Sequence, residues 1–276
     1  MAMLAFAGNS LLCRLALAHT SIDVASFTGI RLVSGALMLW LLLQMRPSSA
    51  AVSGQGVATG SWISAFALFA YAAAFSLAYT QLTAATGALL LFGSVQVTMI
   101  GVGLWRGERM APLQVAGACL AVAGLVALLL PGLSAPPLLG ALLMVAAGVA
   151  WGVYSLRGSR ARDPLATTTG NFLRTLPFAA LLGVLMIGRL VPDATGIGYA
   201  IASGALTSGI GYAIWYAVLP HLGALRAAVL QLSVPVIAAG GGVLLIGEPI
   251  TLRFVLCSVA ILGGVLAMIL LGRRGA

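Results

Sequence analysis

Along the whole chain, apolar runs of about 20 residues alternate with short breaks rich in polar residues, proline or glycine. Such a run crosses a hydrocarbon layer of roughly 30 Å as an α-helix. The breaks predict ten helices, over residues 2–18, 24–45, 59–79, 85–105, 112–131, 138–156, 166–188, 197–218, 225–247 and 251–272. No period-two alternation marks barrel strands. The longest connection, "RPSSAAVSGQGVATG" after the second helix, is rich in Ser, Gly and Ala and reads as a surface loop, with no soluble domain inserted.

The hydrophobic pattern also repeats. A Gly-Glu pair separates two apolar runs at Glu108 and again at Glu248, and 248 − 108 = 140. The same offset lays the segment from Phe75 onto the segment from Trp215, with Leu82 on Leu222 and Ala84 on Ala224. An offset of 143 places Arg14 on Arg157 and Arg31 on Arg174. Residues 1–131 and 138–272 are therefore two five-helix repeats. Five is odd, so the second copy enters the membrane from the opposite face. The expected fold is an all-α integral membrane protein with ten transmembrane helices arranged as two inverted five-helix repeats.

Charge tests that topology. All 14 basic residues are arginines. With the N-terminus cytoplasmic, Arg46, Arg106, Arg109, Arg157, Arg160, Arg162, Arg226, Arg273 and Arg274 fall on the cytoplasmic side, and only Arg189 and Arg253 on the other. Basic residues favour the cytoplasmic face, which puts both termini there. With 61% hydrophobic and 7% charged residues and a mean hydropathy of +1.12, the composition excludes a soluble globule. Charge spread thinly between spans excludes a nucleic-acid surface. Cys13, Cys119 and Cys257 lie inside apolar runs without metal-ligand spacing and are expected to pack; no metal or other cofactor is expected. The "LALA" near residue 18 resembles a signal-peptide end, but Asn9 and Arg14 interrupt the run, so the segment is retained as the first membrane helix.

Arg14, Arg31 and Arg174 fall within predicted spans, where an arginine facing lipid is costly. They are expected to face protein, water or a headgroup layer, in an architectural role for which placement towards helix ends allows snorkelling, with a carboxylate-binding role for Arg31 as the alternative. Glu108 and Glu248 precede helices five and ten and are expected to cap them, as Asp23 caps helix two. His19 and His221 fall in loops. With no ionisable carboxylate or histidine left at mid-membrane, strict proton coupling is not expected. Aromatics recur on single helix faces: Tyr71, Phe75 and Tyr79; Trp151 and Tyr154; Tyr212, Trp215 and Tyr216. Such stripes can pack the bundle or line a solute site. Trp40, Trp62 and Trp105 are placed as interfacial belt residues. Gly148 and Gly152 form a GxxxG expected to pack closely, and Gly240, Gly241 and Gly242 after Pro235 suggest a hinge.

The segments "GERMAPLQVAGACLAVAGLVALLL", "GEPITLRFVLCSVAILGGVLAMILL", "AWGVYSLRGSR" and "GIRLVSGALMLWLLL" resemble the drug/metabolite transporter superfamily in its EamA-type branch, over nearly the whole chain. The first helix departs from the usual pattern, with Phe6-Ala7-Gly8-Asn9 where many members carry Trp-Gly. The resemblance implies an exporter of small metabolites in a bacterial inner membrane, with a central cavity lined by helices one, three, four, six, eight and nine. On those helices, Asn9, Tyr71, Ser76, Tyr79, Gln96, Trp151, Tyr154, Ser155, Tyr212, Trp215 and Gln231 are the candidate substrate-binding residues. The expected partners are a small-molecule substrate and the lipid bilayer, with the chain acting as a monomer. The chain looks most like the superfamily's bacterial aromatic amino-acid exporters, and the expected cargo is neutral or zwitterionic, amino acids including aromatic ones. Another metabolite or a lipophilic drug is the alternative. Sugar-phosphate carriers of the superfamily rely on membrane lysines, which are absent here. An intramembrane hydrolase lacks a G-x-S-G nucleophile, a membrane histidine and paired aspartates, so no catalytic residue is expected.

Overall fold

The structure, a computed structural model, describes residues 1–46, 59–105, 107, 110–130, 132, 135–159, 161–218 and 230–271. The described residues form ten helices and no strands. They are α1 (Ala2–His19), α2 (Val24–Gln44), α3 (Trp62–Tyr79), α4 (Ala84–Trp105), α5 (Pro112–Leu129), α6 (Leu138–Gly158), α7 (Pro164–Leu185), α8 (Ala194–Val218), α9 (Ser233–Ile246) and α10 (Leu252–Leu271). Seven of these, α1 to α6 and α8, are long and apolar enough to cross a membrane. The connection after α2, the Glu108 turn, His221, Arg226 and the last basic residues lie outside the described residues.

Side chains fix the helix starts. Asp23, Ser61, Asp163 and Asp193 each accept the amide of the third residue onward, at the starts of α2, α3, α7 and α8. Pro112 and Pro164 occupy first-turn positions where no amide hydrogen bond is lost. Pro177 sits inside α7.

Outward faces are apolar: Val33, Leu37, Leu41, Val122, Val126, Leu181, Val184 and Leu256 are among the exposed side chains, the surface expected of a bundle solvated by lipid. Trp40, Trp62 and Trp105 are exposed, as a belt position requires. Cys119 is exposed as well, against the expectation that it packs, because it lies on the outward side of α5; Cys13 and Cys257 are buried.

α3 packs on α6 and α7, α4 on α6 and α9, α2 on α7 and α8, and α1 on α8 and α9. α5 and α10 pair along one side. Their crossing is made of glycine. A methyl group at Gly117 would stand 2.6 Å from the Gly264 carbonyl oxygen, and one at Gly264 would stand 2.5 Å from that of Gly117. Small residues of this kind let membrane helices approach backbone to backbone. The GxxxG of α6 works the same way: a methyl at Gly148 would lie 2.6 Å from Ser94 Cβ on α4.

Two stretches depart from α geometry. Within α8, Ala202–Ile210 forms a π-helix, and α9 ends in a π turn, Gly242–Ile246, closed by Gly247 at φ 73°. Gly247 thus supplies the left-handed backbone that terminates the helix.

Candidate functional site

At the centre, α1, α3, α6, α7 and α8 bring aromatic rings into direct contact. Trp151 is the hub: its ring centre lies 4.9 Å from Tyr71, 5.1 Å from Tyr212, 5.5 Å from Tyr154 and 6.5 Å from Phe6. Phe6 also meets Tyr212 and Trp215 edge-on, at 5.8 and 5.9 Å. Phe172 of α7 closes another side against Tyr212 at 5.9 Å. Tilted and edge-on contacts are the arrangements aromatic rings prefer.

A polar thread runs through these rings. Asn9 of α1 donates through Nδ2 to the Tyr71 hydroxyl on α3 at 3.3 Å. Its Oδ1 accepts from Ser203 at 2.6 Å and Thr207 at 3.4 Å, both on the π-helical stretch of α8. Arg31 of α2 donates through Nη2 to the same Tyr71 hydroxyl at 3.2 Å. Its guanidinium carbon stands 5.4 Å from the Tyr71 ring centre and 5.0 Å from that of Phe75. Arg31 is only 2% exposed, so of the expected surroundings it faces protein and does not snorkel to a headgroup layer. The reason is packing: α8 lies so close to α2 that Gly204 rests on the Arg31 and Ser34 backbone and side-chain oxygens, leaving the long side chain to turn inward.

The expected site residues divide. Asn9, Tyr71, Trp151, Tyr154, Tyr212 and Trp215 come together in the aromatic centre, all buried. Tyr79 continues the stripe through Phe75 at 4.7 Å, towards the start of α4. Ser76 is buried but spends its hydroxyl on the Ala72 carbonyl one turn earlier, at 2.9 Å. Gln96 lines an outward groove between α4 and α5 instead, beside Val97 and Val122. Ser155 and Gln231 are partly exposed. Phe6, Arg31, Phe172, Ser203 and Thr207 are the central residues missing from the expected set. Ser203 and Thr207 had a readable signal, two hydroxyls four residues apart in an apolar run.

Around this centre, polar ties hold both ends of the bundle. At one end Arg14 Nε donates to Glu248 Oε1 at 2.8 Å, and Glu248 Oε2 accepts the Ala84 amide at 2.7 Å. Glu248 therefore caps α4 rather than α10, whose start is served by the Thr251 hydroxyl, which accepts the Phe254 amide at 3.1 Å. Beside it the α1–α2 and α7–α8 connections clasp each other: Asp23 accepts the Val191 amide at 2.8 Å, and Asp193 accepts from the Ser21 hydroxyl at 3.1 Å. Burial opposes ionisation of Asp23, but its hydrogen bonds from Ser26 and Val191 outweigh that and hold it below the usual aspartate range. The Gly196 amide does the same for Asp193. At the opposite end Arg46 bonds Asp163 at 2.7 Å, and Arg157 reaches Ser64 and Ser61 at 3.0 and 3.2 Å. No cluster among the described residues could hold a metal ion.

A multi-pass bundle of apolar helices enclosing a polar thread is built as a membrane transporter is built. Residues 138–270 match the EamA-like transporter family. Its sequence is 57% identical over 275 residues to the uncharacterized protein PA1977 of Pseudomonas aeruginosa, covering 100% of this chain and 94% of that one. A solved crystal structure of a protein shares the fold, with a TM-score of 0.67 and 24% identity, over 98% of this chain and 97% of that chain.

Proposed function

We propose that the protein is an alternating-access exporter of small neutral or zwitterionic metabolites, with amino acids, aromatic ones among them, as the class its centre fits. The observation that carries this reading is the Asn9 link, which joins Tyr71 of α3 to Ser203 of α8 inside a buried ring of aromatics. A membrane bundle gains little from burying such groups unless something polar passes them.

The reading takes the fold as two inverted repeats of five helices. Several features support it. Asp23 and Asp163 start α2 and α7 at an offset of 163 − 23 = 140, the spacing that separates Glu108 from Glu248. At that offset Arg31 corresponds to Asn171, whereas an offset of 143 pairs Arg31 with Arg174. Contacts follow the same exchange: α2 pairs with α7, α4 with α9 and α5 with α10, while α3 on α6 mirrors α8 on α1. Release of the Asp23–Asp193 clasp at one end and the Arg46–Asp163 pair at the other would open the centre to alternate faces. We place the chain as a monomer in a bacterial inner membrane with both termini cytoplasmic, from the arginine distribution.

The test is reconstitution of the full chain into liposomes and counterflow of a labelled amino-acid panel. Saturable exchange of aromatic amino acids, reduced by Trp151→Ala and persisting without a pH gradient, is the expected result. Flux confined to lipophilic cations would move the cargo to drugs, and absence of flux for every solute would end the reading.

A further inference from the structure

Arg31 is a fixed positive charge for which the described residues supply no carboxylate. There are five acidic residues in all. Asp163 is taken by Arg46 and Glu248 by Arg14, while Asp23 and Asp193 hold helix starts at one end of the bundle. Glu108 belongs to the connection between α4 and α5, outside the described residues. A guanidinium stays charged at any accessible pH, and leaving one buried without an anion is strongly unfavourable. The faces of Tyr71 and Phe75 return only part of that cost.

The unmet valences point to one ligand. Arg31 Nη1 is buried and has no hydrogen-bond partner. Beside it the Tyr71 hydroxyl already accepts from Arg31 Nη2 and Asn9 Nδ2, so its own proton is left to donate. A cationic N–H next to an O–H is the complement of a carboxylate, which has two oxygens to receive them. No group of opposite sign waits for an ammonium: Asn9 Oδ1 is occupied by Ser203 and Thr207.

Resting on the transport reading above, we propose that Arg31 and Tyr71 bind the carboxylate of the transported solute, with the aromatic cluster taking its apolar body. The α-amino group is then tolerated but not selected. Monocarboxylates with an aromatic or bulky apolar body are carried as well as the matching amino acids, and the matching amines are not.

Binding to the purified full chain in detergent and counterflow in liposomes test this together, with L-phenylalanine, 3-phenylpropanoate and 2-phenylethylamine as probes. The first two should bind and compete with each other, and the amine should do neither. Arg31→Gln should weaken both carboxylates about 10- to 100-fold, the loss expected for a charge-assisted contact. Tyr71→Phe, which keeps the ring, should weaken both by a smaller factor and gives an answer if Arg31→Gln fails to fold. Equal competition by 2-phenylethylamine, or unchanged affinity in either variant, would overturn the proposal. Flux of the amine with no effect of the carboxylates would sink the carboxylate receptor and leave transport standing. Carboxylate binding in detergent without any flux would do the reverse.

Discussion

Arg14 and Glu248 meet at 2.8 Å although 234 positions separate them in the chain. The pair ties α1 to the turn between α9 and α10, and through the Ala84 amide to the start of α4. Both side chains are largely buried, 18% and 8% exposed. Removing one partner strands the other in an apolar setting, whereas removing both does not. Arg14→Met and Glu248→Gln should each lower the melting temperature in detergent by more than the double variant does. The coupling should be about 0.5–3 kcal/mol, the range for contacting residues. Additive losses would refute the pair.

Asp23 and Asp193 give the clasp a pH dependence of known sign. Both carboxylates titrate below the usual aspartate range in the folded chain, so their contribution is complete above the unfolded value and is lost as pH falls through the folded one. Melting temperature should therefore drop on acidification below about pH 4. The drop should be smaller in Asp23→Asn and Asp193→Asn. Equal acid sensitivity in the wild type and both variants would contradict the assignment.

Gly204 is a close contact between α8 and α2. A methyl group there would land on Ser34 Oγ and the Arg31 carbonyl, whereas one at Gly198, earlier in α8, meets nothing. Gly204→Ala should destabilise the chain or displace Arg31 and abolish solute binding. Gly198→Ala should stabilise slightly, by up to about 1 kcal/mol from helix propensity. Thermal melts and binding of the two variants decide this.

The glycine run of α9 separates in the same way. A side chain at Gly241 runs into Leu11 of α1, its first atom 2.5 Å from a methyl, while Gly240 faces open space. Gly241→Leu should slow exchange flux several-fold, and Gly240→Leu should not. Equal flux in both would remove α9 as a moving contact.

Much of the fold was legible because each span must satisfy its own backbone hydrogen bonds in lipid, which leaves long apolar runs as helices. α1, α3, α5 and α6 begin and end within a few residues of the expected bounds. The seventh helix differs more, running Pro164–Leu185 instead of 166–188, since Asp163 caps it early and Gly188 falls in a separate 3₁₀ turn. The centre was legible where aromatics share a helix face, as with Tyr71 and Trp151. It was not legible where the partner is remote. Local logic made Glu248 a cap for the helix that follows it, and nothing near Glu248 announces Arg14 or Ala84. Arg31 was read from its distance to a helix end, but the direction of a side chain depends on how closely the next helix packs, and that is set by Gly204.

The stretch Ala202–Ile210 in α8 is wound more widely than the α-helix around it. A π turn holds one more residue than the α turn it replaces, and each residue turns an α-helix by about 100°. Deleting a single amino acid from that stretch would let the helix tighten to α form with both flanks still in phase, so Tyr212 and Trp215 would keep their aim. The same deletion from the regular helix beyond it would swing whatever follows by about 100°. The chain carries a spare residue at the place where Ser203 and Thr207 reach Asn9, a reserve of torsion that the helix can release without unwinding.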